Sequence, residues 1–127
     1  MKLETMVYDR LMHILPDSAK HVVVFSCVTD DYYELFFYAA MPGTGYVQCY
    51  QLAEEDLLDA NQLDRVFSQI AMDIRSASQY QRGQINVFTF VLSESSIHLD
   101  VQYANPEKSL YRIKKDWRKQ YLSDFHT

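Results

Sequence analysis

Apolar side chains recur along the chain at two spacings, one typical of helices and one typical of strands. Near the N-terminus they return every three or four residues, which predicts an amphipathic helix that ends near Pro16. Three apolar runs follow and predict three strands, HVVVFSCV, YYELFFYAAM and YVQCYQL. The segments between them, TDD and MPGTG, are rich in turn residues and short enough to form hairpins.

A longer helical stripe occupies the middle of the chain. Its apolar positions are Leu63, Val66, Phe67, Ile70, Ala71, Ile74 and Ala77. Asn61 is the expected N-cap, Asp64 complements the positive end of the helix dipole, and Gly83 is expected to close the helix. Two more strands are predicted from QINVFTFVL and IHLDVQY. Apolar residues at 97, 99, 101 and 103 alternate with polar ones, so we expect the last strand to have one buried and one solvated face.

The segment SLYRIKKDWRKQYL predicts a final helix. Leu110, Ile113, Trp117 and Tyr121 are spaced by three or four residues, which predicts a core-facing stripe with Trp117 as its anchor. Ser109 is the candidate cap. The element order is therefore α-β-β-β-α-β-β-α. Because hairpin-length connections join the strands, we expect an α+β fold over residues 1–127, with one antiparallel five-stranded sheet and helices packed on a face.

Charge divides the chain into an acidic body and a basic end. The formal net charge is -5; residues 1–106 carry fourteen acidic and six basic side chains, and residues 107–127 carry three acidic and six basic ones. An acidic body attracts basic partners and repels polyphosphate. The candidate contacts to a basic protein are Asp30, Asp31, Glu34, Glu54, Glu55, Asp56 and Asp59. The alternative is that the acids near the central helix only complement its dipole, and that the net charge only keeps the protein in solution.

A search for catalytic chemistry finds few candidates. The four histidines, at positions 13, 21, 98 and 126, show no metal-ligand spacing, and no phosphate-binding or nucleophile-elbow motif is present. His98 and Asp100 share a strand face and could form an acid/base pair, but polar residues on a solvated strand face are the simpler interpretation. Cys27 and Cys49 lie in apolar runs, which indicates reduced, buried thiols. We expect no enzymatic activity, no cofactor and no metal.

The N-terminal segment differs from an export signal. Charged residues at Glu4, Asp9 and Arg10 interrupt the apolar positions of the N-terminal segment, unlike the apolar core of a signal peptide. No apolar run approaches the length of a membrane span. We therefore expect a cytoplasmic protein.

The C-terminal segment VFTFVLSESSIHLDVQYANPEKSLYRIKKDWRKQYL resembles the end of the YezG-like family of bacterial immunity proteins. In that family a strand, a short turn and a strand with a terminal aromatic lead to a helix of the pattern Tyr/Arg-Arg-x-x-x-Trp-x-x-x-Tyr-Leu. The matching residues are Phe88, Phe90, Leu92, Ile97, Leu99, Val101, Tyr103, Tyr111, Arg112, Trp117, Tyr121 and Leu122. The first helix, the strand with ELFFYAA and the central helix follow the same order. One departure is the pair Ala104 and Asn105, where the family often has acidic residues.

The resemblance implies a cytoplasmic immunity protein, or antitoxin, that neutralises the C-terminal domain of a cognate toxin in a 1:1 complex. Such toxins are often nucleases, whose active sites are basic because they hold phosphate. An acidic inhibitor can cover such a site, and we expect it to contact neither nucleic acid nor a membrane. The alternative function is a small nucleic-acid-binding module that uses the basic C-terminal helix.

Overall fold

The computed structural model describes residues 2–122 and shows an α+β fold. The elements in chain order are α1 (Leu3–Met12), β1 (His21–Val28), β2 (Tyr33–Met41), β3 (Gly45–Gln48), α2 (Cys49–Glu54), α3 (Ala60–Arg75), β4 (Ile85–Ser93), β5 (Ser96–Ala104) and α4 (Leu110–Leu122). The predicted order is confirmed except for α2, which is an additional short helix. His126, one of the four histidines considered above, lies outside the described residues.

The five strands form one antiparallel sheet, as predicted, and their order in it is β3-β2-β1-β4-β5. β1 lies at the centre, where it pairs with β2 through a hairpin and with β4 after the α3 crossover. Residues 22–28 of β1 are all buried. This burial follows from the run of β-branched and aromatic residues in β1, since a central strand covered on both sides needs apolar side chains on both faces.

Helices cover both faces of the sheet, so the expectation that they pack on a single face is wrong. Phe36 and Phe37 are neighbours in β2 and therefore point to opposite faces. The Phe37 ring meets Phe67 of α3 at 6.1 Å between centroids, whereas the Phe36 ring meets Trp117 of α4 at 5.6 Å. α1 packs beside α3. The basic C-terminal helix thus covers the opposite side of the sheet from α1 and α3.

The third strand is shorter than its sequence predicted. YVQCYQL was expected to be extended throughout, but β3 ends at Gln48 and the chain continues as α2. Cys49 and Leu52 are both buried, and their spacing of three places them on one side of a helical turn. A strand would have pointed these two side chains to opposite faces, so burial of both favours the helix.

Both ends of α3 also differ from the prediction. Asp59, and not Asn61, is the N-cap: its Oδ1 accepts hydrogen bonds from the N–H groups of Asn61 at 2.7 Å and Gln62 at 3.3 Å. The helix closes at Ser76, its C-cap, well before Gly83. Gly83 has φ +76 and lies in the turn that leads into β4, where the left-handed backbone favours glycine.

α4 follows the predicted stripe closely. Trp117 is 4% exposed, which confirms that its ring is buried. The Ser109 hydroxyl accepts a hydrogen bond from the Arg112 N–H at 3.2 Å, so the predicted cap is confirmed as well. In β5, however, Asp100 is half-buried beneath α4 while Tyr103 is 41% exposed. The two faces of this edge strand therefore differ less in burial than the alternation of apolar and polar residues predicted.

Two buried polar residues have contrasting surroundings. Asn86 is fully buried, and its Nδ2 donates to the carbonyl oxygens of Val28 (3.2 Å), Gln81 (2.8 Å) and Gln84 (3.1 Å). Its Oδ1 accepts from the Gln81 N–H at 2.8 Å, so one side chain holds the loop between α3 and β4. Ser26 in β1 is also fully buried, but its hydroxyl has no hydrogen-bond partner among the residues that the structure describes.

Candidate partner-binding surface

The seven acidic residues predicted to contact a partner fall into two groups, and three of them hold the fold together. Asp30 accepts hydrogen bonds from the Tyr80 hydroxyl at 2.5 Å and from the Gly83 N–H at 3.1 Å, and thereby joins the β1–β2 turn to the α3–β4 loop. These bonds, the one from Tyr80 first, lower the pKa of the Asp30 carboxyl. Asp59 caps α3, as described above.

Glu34 is the third structural acid. Its Oε1 lies 3.1 Å from Nζ of Lys114, an ion pair that ties α4 to the start of β2. Both side chains are partly buried, so this pair is less screened than one in full contact with water. The second carboxylate oxygen of Glu34 is buried and has no hydrogen-bond partner within residues 2–122. Glu34 therefore keeps a negative charge close to the surface without offering a free carboxylate to a partner.

The remaining four acids, Asp31, Glu54, Glu55 and Asp56, are exposed. Within residues 2–122 no Lys or Arg forms an ion pair with any of them. We call Glu54, Glu55 and Asp56 the acidic loop. They lie at the C-terminal end of α2. Asp56, with φ 59, has the left-handed backbone conformation that ends the helix.

The acidic loop has a defined conformation because the end of α2 is hydrogen-bonded. The Asp56 N–H donates to the Ala53 carbonyl at 3.1 Å, and the Leu57 N–H donates to the Leu52 carbonyl at 2.9 Å. This pair of bonds is the Schellman arrangement, in which glycine is the usual left-handed residue. Asp is one of the few other residues that tolerate that backbone region. The carboxylates of the loop are thus presented from an ordered turn.

Three tyrosines close to these acids in the chain are exposed. Tyr32, Tyr33 and Tyr50 are 44%, 41% and 45% exposed. Partial burial first, then Cys49, and then Asp64, Glu34 and Tyr33 raise the pKa of Tyr50.

Other side chains hold these tyrosines in place. Arg75 at the end of α3 donates to the carbonyl oxygens of Thr29, at 3.1 and 2.9 Å, and Tyr32, at 3.1 Å. Its guanidinium carbon also lies 6.0 Å from the centre of the Tyr33 ring. The Tyr50 ring meets Phe67 edge-on at 6.5 Å. Each of the three tyrosines is therefore anchored to α3.

Tyr50 adjoins the acidic loop through α2. Tyr50 and Glu54 are four residues apart in this helix and lie on the same side of it. The sequence prediction included the acids but not Tyr50, because Tyr50 was expected within a strand and its exposure depends on the helix that forms instead.

Comparison with known protein families finds no match for this chain, and comparison with curated proteins finds none either. The resemblance of the C-terminal segment to the YezG-like family therefore stays a prediction.

The basic side chains of α4 are partly neutralised. Asp116 lies 3.5 Å from Lys108 and 3.9 Å from Arg112, while Lys114 pairs with Glu34. Arg118 donates to the Tyr38 hydroxyl at 3.4 Å. Trp117 is buried, whereas Tyr111 of the same helix is 73% exposed.

His98 and Asp100 do form the pair that their shared strand face allowed, with 2.8 Å between Nε2 and Oδ1. The Tyr121 hydroxyl donates to the other oxygen of Asp100 at 2.8 Å. Burial first, and then this bond, raise the pKa of Tyr121 to about 12. The pair therefore contributes to holding α4 on β5, which is a structural role.

Cys27 and Cys49 are buried, as predicted, and burial is the main cause that raises the pKa of each thiol to about 11. Thiols with such pKa values are poor nucleophiles at neutral pH. In the described part of the chain, no three His, Cys, Asp or Glu side chains come together as metal ligands. None of the helices in residues 2–122 combines the length and the apolar character needed to cross a bilayer.

Proposed function

We propose that this protein is a cytoplasmic immunity protein that binds a basic toxin domain in a 1:1 complex and blocks it without any chemistry of its own. The observation that carries the proposal is the acidic loop. Its three carboxylates are exposed, lie on an ordered turn and have no cationic partner within residues 2–122. The resemblance of the C-terminal segment to the YezG-like family supports the same function.

Unpaired carboxylates on an ordered turn favour binding to a positively charged surface. A toxin that cleaves nucleic acid concentrates Lys and Arg around its active site to hold phosphate. Negative charge on the inhibitor steers the encounter and increases the association rate, most strongly at low ionic strength. Since the loop needs no reordering on contact, little conformational entropy is lost on binding.

The test is coexpression with the product of the gene directly upstream, which we expect to be the toxin, together with calorimetric titration of the two purified proteins. We expect wild-type protein to restore growth and to bind with 1:1 stoichiometry. Equal cell death with and without the protein would refute the proposal, whatever the toxin's chemistry.

A triple variant tests the acidic loop directly. Glu54→Gln, Glu55→Gln and Asp56→Asn remove three charges with little change of shape, and Asn tolerates the left-handed backbone at position 56. We expect the association rate constant at low salt to fall about tenfold and to become less dependent on salt. The matched control removes three other exposed acids, with Asp17→Asn, Glu94→Gln and Glu107→Gln. Equal loss in both variants would show that only net charge matters, and not this loop.

A second candidate function, nucleic-acid binding, is favoured by one observation. Tyr111 is highly exposed, and Lys115 and Lys119 follow it at intervals of four residues without an ion pair among the described residues. An exposed aromatic beside unpaired cations can stack on a base and contact phosphate. Titration with single- and double-stranded RNA and DNA at several salt concentrations tests this function. Salt-sensitive binding tighter than about 1 µM would favour it over the immunity function.

A further inference from the structure

We infer that the outer edge of β5 is the contact between two copies of this chain, which pair antiparallel about Leu99 and join two five-stranded sheets into one continuous sheet. The inference goes beyond the proposed function and does not depend on it, because it concerns the protein alone. It rests on the regularity of β5 and on the order of its side chains.

β5 is a long and regular edge strand. It is the last strand of the sheet, and none of the strands in residues 2–122 pairs with its outer edge. Its pairing with β4 runs without interruption from Ile85↔Ala104 to Ser93↔Ser96. The N–H and C=O groups that point away from β4 therefore form a straight template for another strand.

β5 lacks most of the features by which sheet edges avoid such pairing. These features include short length, proline, lysine and bulges. The sequence of β5, SIHLDVQYA, contains neither proline nor lysine. At the other edge of the sheet β3 has only four residues, so its short length protects it. A charge such as Asp100 also protects an edge, but only where the incoming strand does not compensate it.

The side chains of β5 compensate one another when two copies pair. In antiparallel pairing about Leu99, His98 of each copy lies opposite Asp100 of the other copy. On the other face Ile97 lies opposite Val101, and Leu99 lies opposite its own counterpart. Directly opposite side chains are about 4.5–5.5 Å apart between Cβ atoms, within reach of each other. One face of the junction then carries two His–Asp pairs, and the other carries only apolar side chains.

Neighbouring registers lack this complementarity. Two identical antiparallel strands pair about a residue and not between residues, since the backbone groups that point outward must face each other. Pairing about Asp100 places two carboxylates directly opposite each other, which is destabilising. Pairing about His98 places the two imidazoles opposite each other and Asp100 opposite Ser96. The order His-Leu-Asp therefore selects the register centred on Leu99.

His98 and Asp100 remain accessible although they are already in contact within one chain. Nε2 of His98 lies 2.8 Å from Oδ1 of Asp100, and the Tyr121 hydroxyl donates to Oδ2. The two side chains are nevertheless 71% and 41% exposed. A carboxylate offers about four acceptor positions. His98 can therefore donate to Asp100 of its own chain or of the second copy, while Tyr121 stays bonded.

The position of β5 leaves the acidic loop free. α2 packs against β2 and β3, and β3 lies at the opposite edge of the sheet from β5. The two acidic loops of a pair joined through β5 therefore lie far from the junction. Each copy can still bind one partner, so the molar ratio stays 1:1.

Sedimentation velocity of the purified protein alone is the first test. Because two paired edge strands bury a small interface, we expect a reversible monomer–dimer equilibrium with a Kd of about 1–100 µM. A protein that stays monomeric up to about 500 µM overturns the inference, and the edge would then be blocked or receive a strand of another protein.

Single cysteines test the register. Leu99→Cys places two thiols opposite each other at a distance that a disulfide spans. Ile97→Cys is the matched control, because its two copies lie four residues apart along the junction, about 14 Å. Cys27 and Cys49 are buried and do not compete. Under mild oxidation we expect at least about fivefold more covalent dimer from Leu99→Cys than from Ile97→Cys, and linking in a mixture of Ile97→Cys with Val101→Cys. Equal linking of the two single variants, or none with Leu99→Cys, overturns the inference.

A charge exchange tests the His–Asp pairs across the junction. His98→Glu sets carboxylates opposite each other, and Asp100→Lys removes the acceptor of His98. We expect each variant alone to dimerise about tenfold more weakly than wild type. A mixture of the two should form a mixed dimer, because the new carboxylate of one copy then faces the new ammonium group of the other. Unchanged dimerisation of His98→Glu, or a mixture that stays monomeric, overturns the inference. Far-UV circular dichroism checks folding; if Asp100→Lys fails to fold without the bond from Tyr121, the cysteine variants decide.

Discussion

Substitution of Trp117 tests whether α4 is an integral part of the fold. Trp117→Ala is expected to lower the free energy of unfolding by about 3–5 kcal/mol. The indole is 4% exposed and lies against two rings of the central strands, with centroid distances of 5.2 Å to Phe25 and 5.6 Å to Phe36. Its N–H donates to the Thr89 hydroxyl at 2.9 Å.

The magnitude follows from these contacts. A buried tryptophan removes about 150–250 Å² from water, which at about 25 cal/mol per Å² stabilises the fold by about 4–6 kcal/mol. Relaxation around the cavity recovers part of this energy, whereas the Thr89 hydroxyl loses its partner. Trp117→Phe separates the two effects. It keeps an aromatic ring against Phe25 and Phe36 but removes the donor to Thr89, so we expect a smaller loss of about 1–2 kcal/mol.

Urea unfolding followed by far-UV circular dichroism is the appropriate assay. The chain has a single tryptophan, so its fluorescence cannot report on a variant that lacks it. Tyr111→Ala, two residues before Ile113 on the exposed side of the helix, should change the stability by no more than about 0.5 kcal/mol. A loss of less than about 1 kcal/mol in Trp117→Ala would refute the reasoning, because it would mean that the ring is solvated in solution.

Three further predictions concern buried or hydrogen-bonded polar groups, and urea unfolding checks each of them. Asn86→Asp keeps the shape but removes the amide donor and buries a charge, so we expect a loss of about 3–4 kcal/mol at neutral pH; a loss below about 1 kcal/mol would contradict the buried network. Ser26→Ala removes an unsatisfied hydroxyl and should leave stability unchanged or raise it by up to about 1 kcal/mol, while a clear loss would indicate a partner in solution. Because the pKa of Asp30 is lowered in the fold, its ionised carboxylate stabilises the protein above about pH 4. This stabilisation is lost as the pH falls through the lowered pKa. Asp30→Asn should therefore narrow the difference in urea midpoint between pH 7 and pH 3, and an unchanged difference would exclude Asp30 as a source of acid sensitivity.

The sheet could be predicted from the sequence because its strands carry strong local signals. β1 has three consecutive valines and apolar residues on both faces, and short turn segments separate it from β2 and β2 from β3. The number of strands and their antiparallel pairing follow from these features. The stripe of α4 was equally clear, since Ile113 and Trp117 are the two buried positions that the spacing indicated.

The features that the sequence did not predict have patterns that are too short, or that fit two structures equally well. α2 has only six residues, and a run of that length gives no usable helical period. Asp59 and Asn61 are both good capping residues two positions apart, but Gln62 stands three residues after Asp59, a spacing that favours Asp59 as the cap. The placement of α4 on the opposite face from α3 depends on Trp117 meeting Phe25 and Phe36, which is a tertiary contact.

The acids of the candidate site show most clearly what a sequence leaves open. All seven look alike as a pattern of charge, yet Asp30, Glu34 and Asp59 are used by the protein itself. A carboxylate already bonded within its own chain offers little to a partner, because contact would have to replace the bonds that it makes. The sequence therefore predicted more free carboxylates at the β1–β2 turn than the structure shows.

The same acids nevertheless order the chain around the free ones. Asp30 joins the β1–β2 turn, which carries Asp31, to the α3–β4 loop. Asp59 caps α3 and fixes its start, three residues after the acidic loop ends. Charge at these two positions is used to order the structure, whereas charge in the acidic loop is left free to attract a partner. Removal of the charges of the acidic loop should therefore lower the association rate, most strongly at low ionic strength.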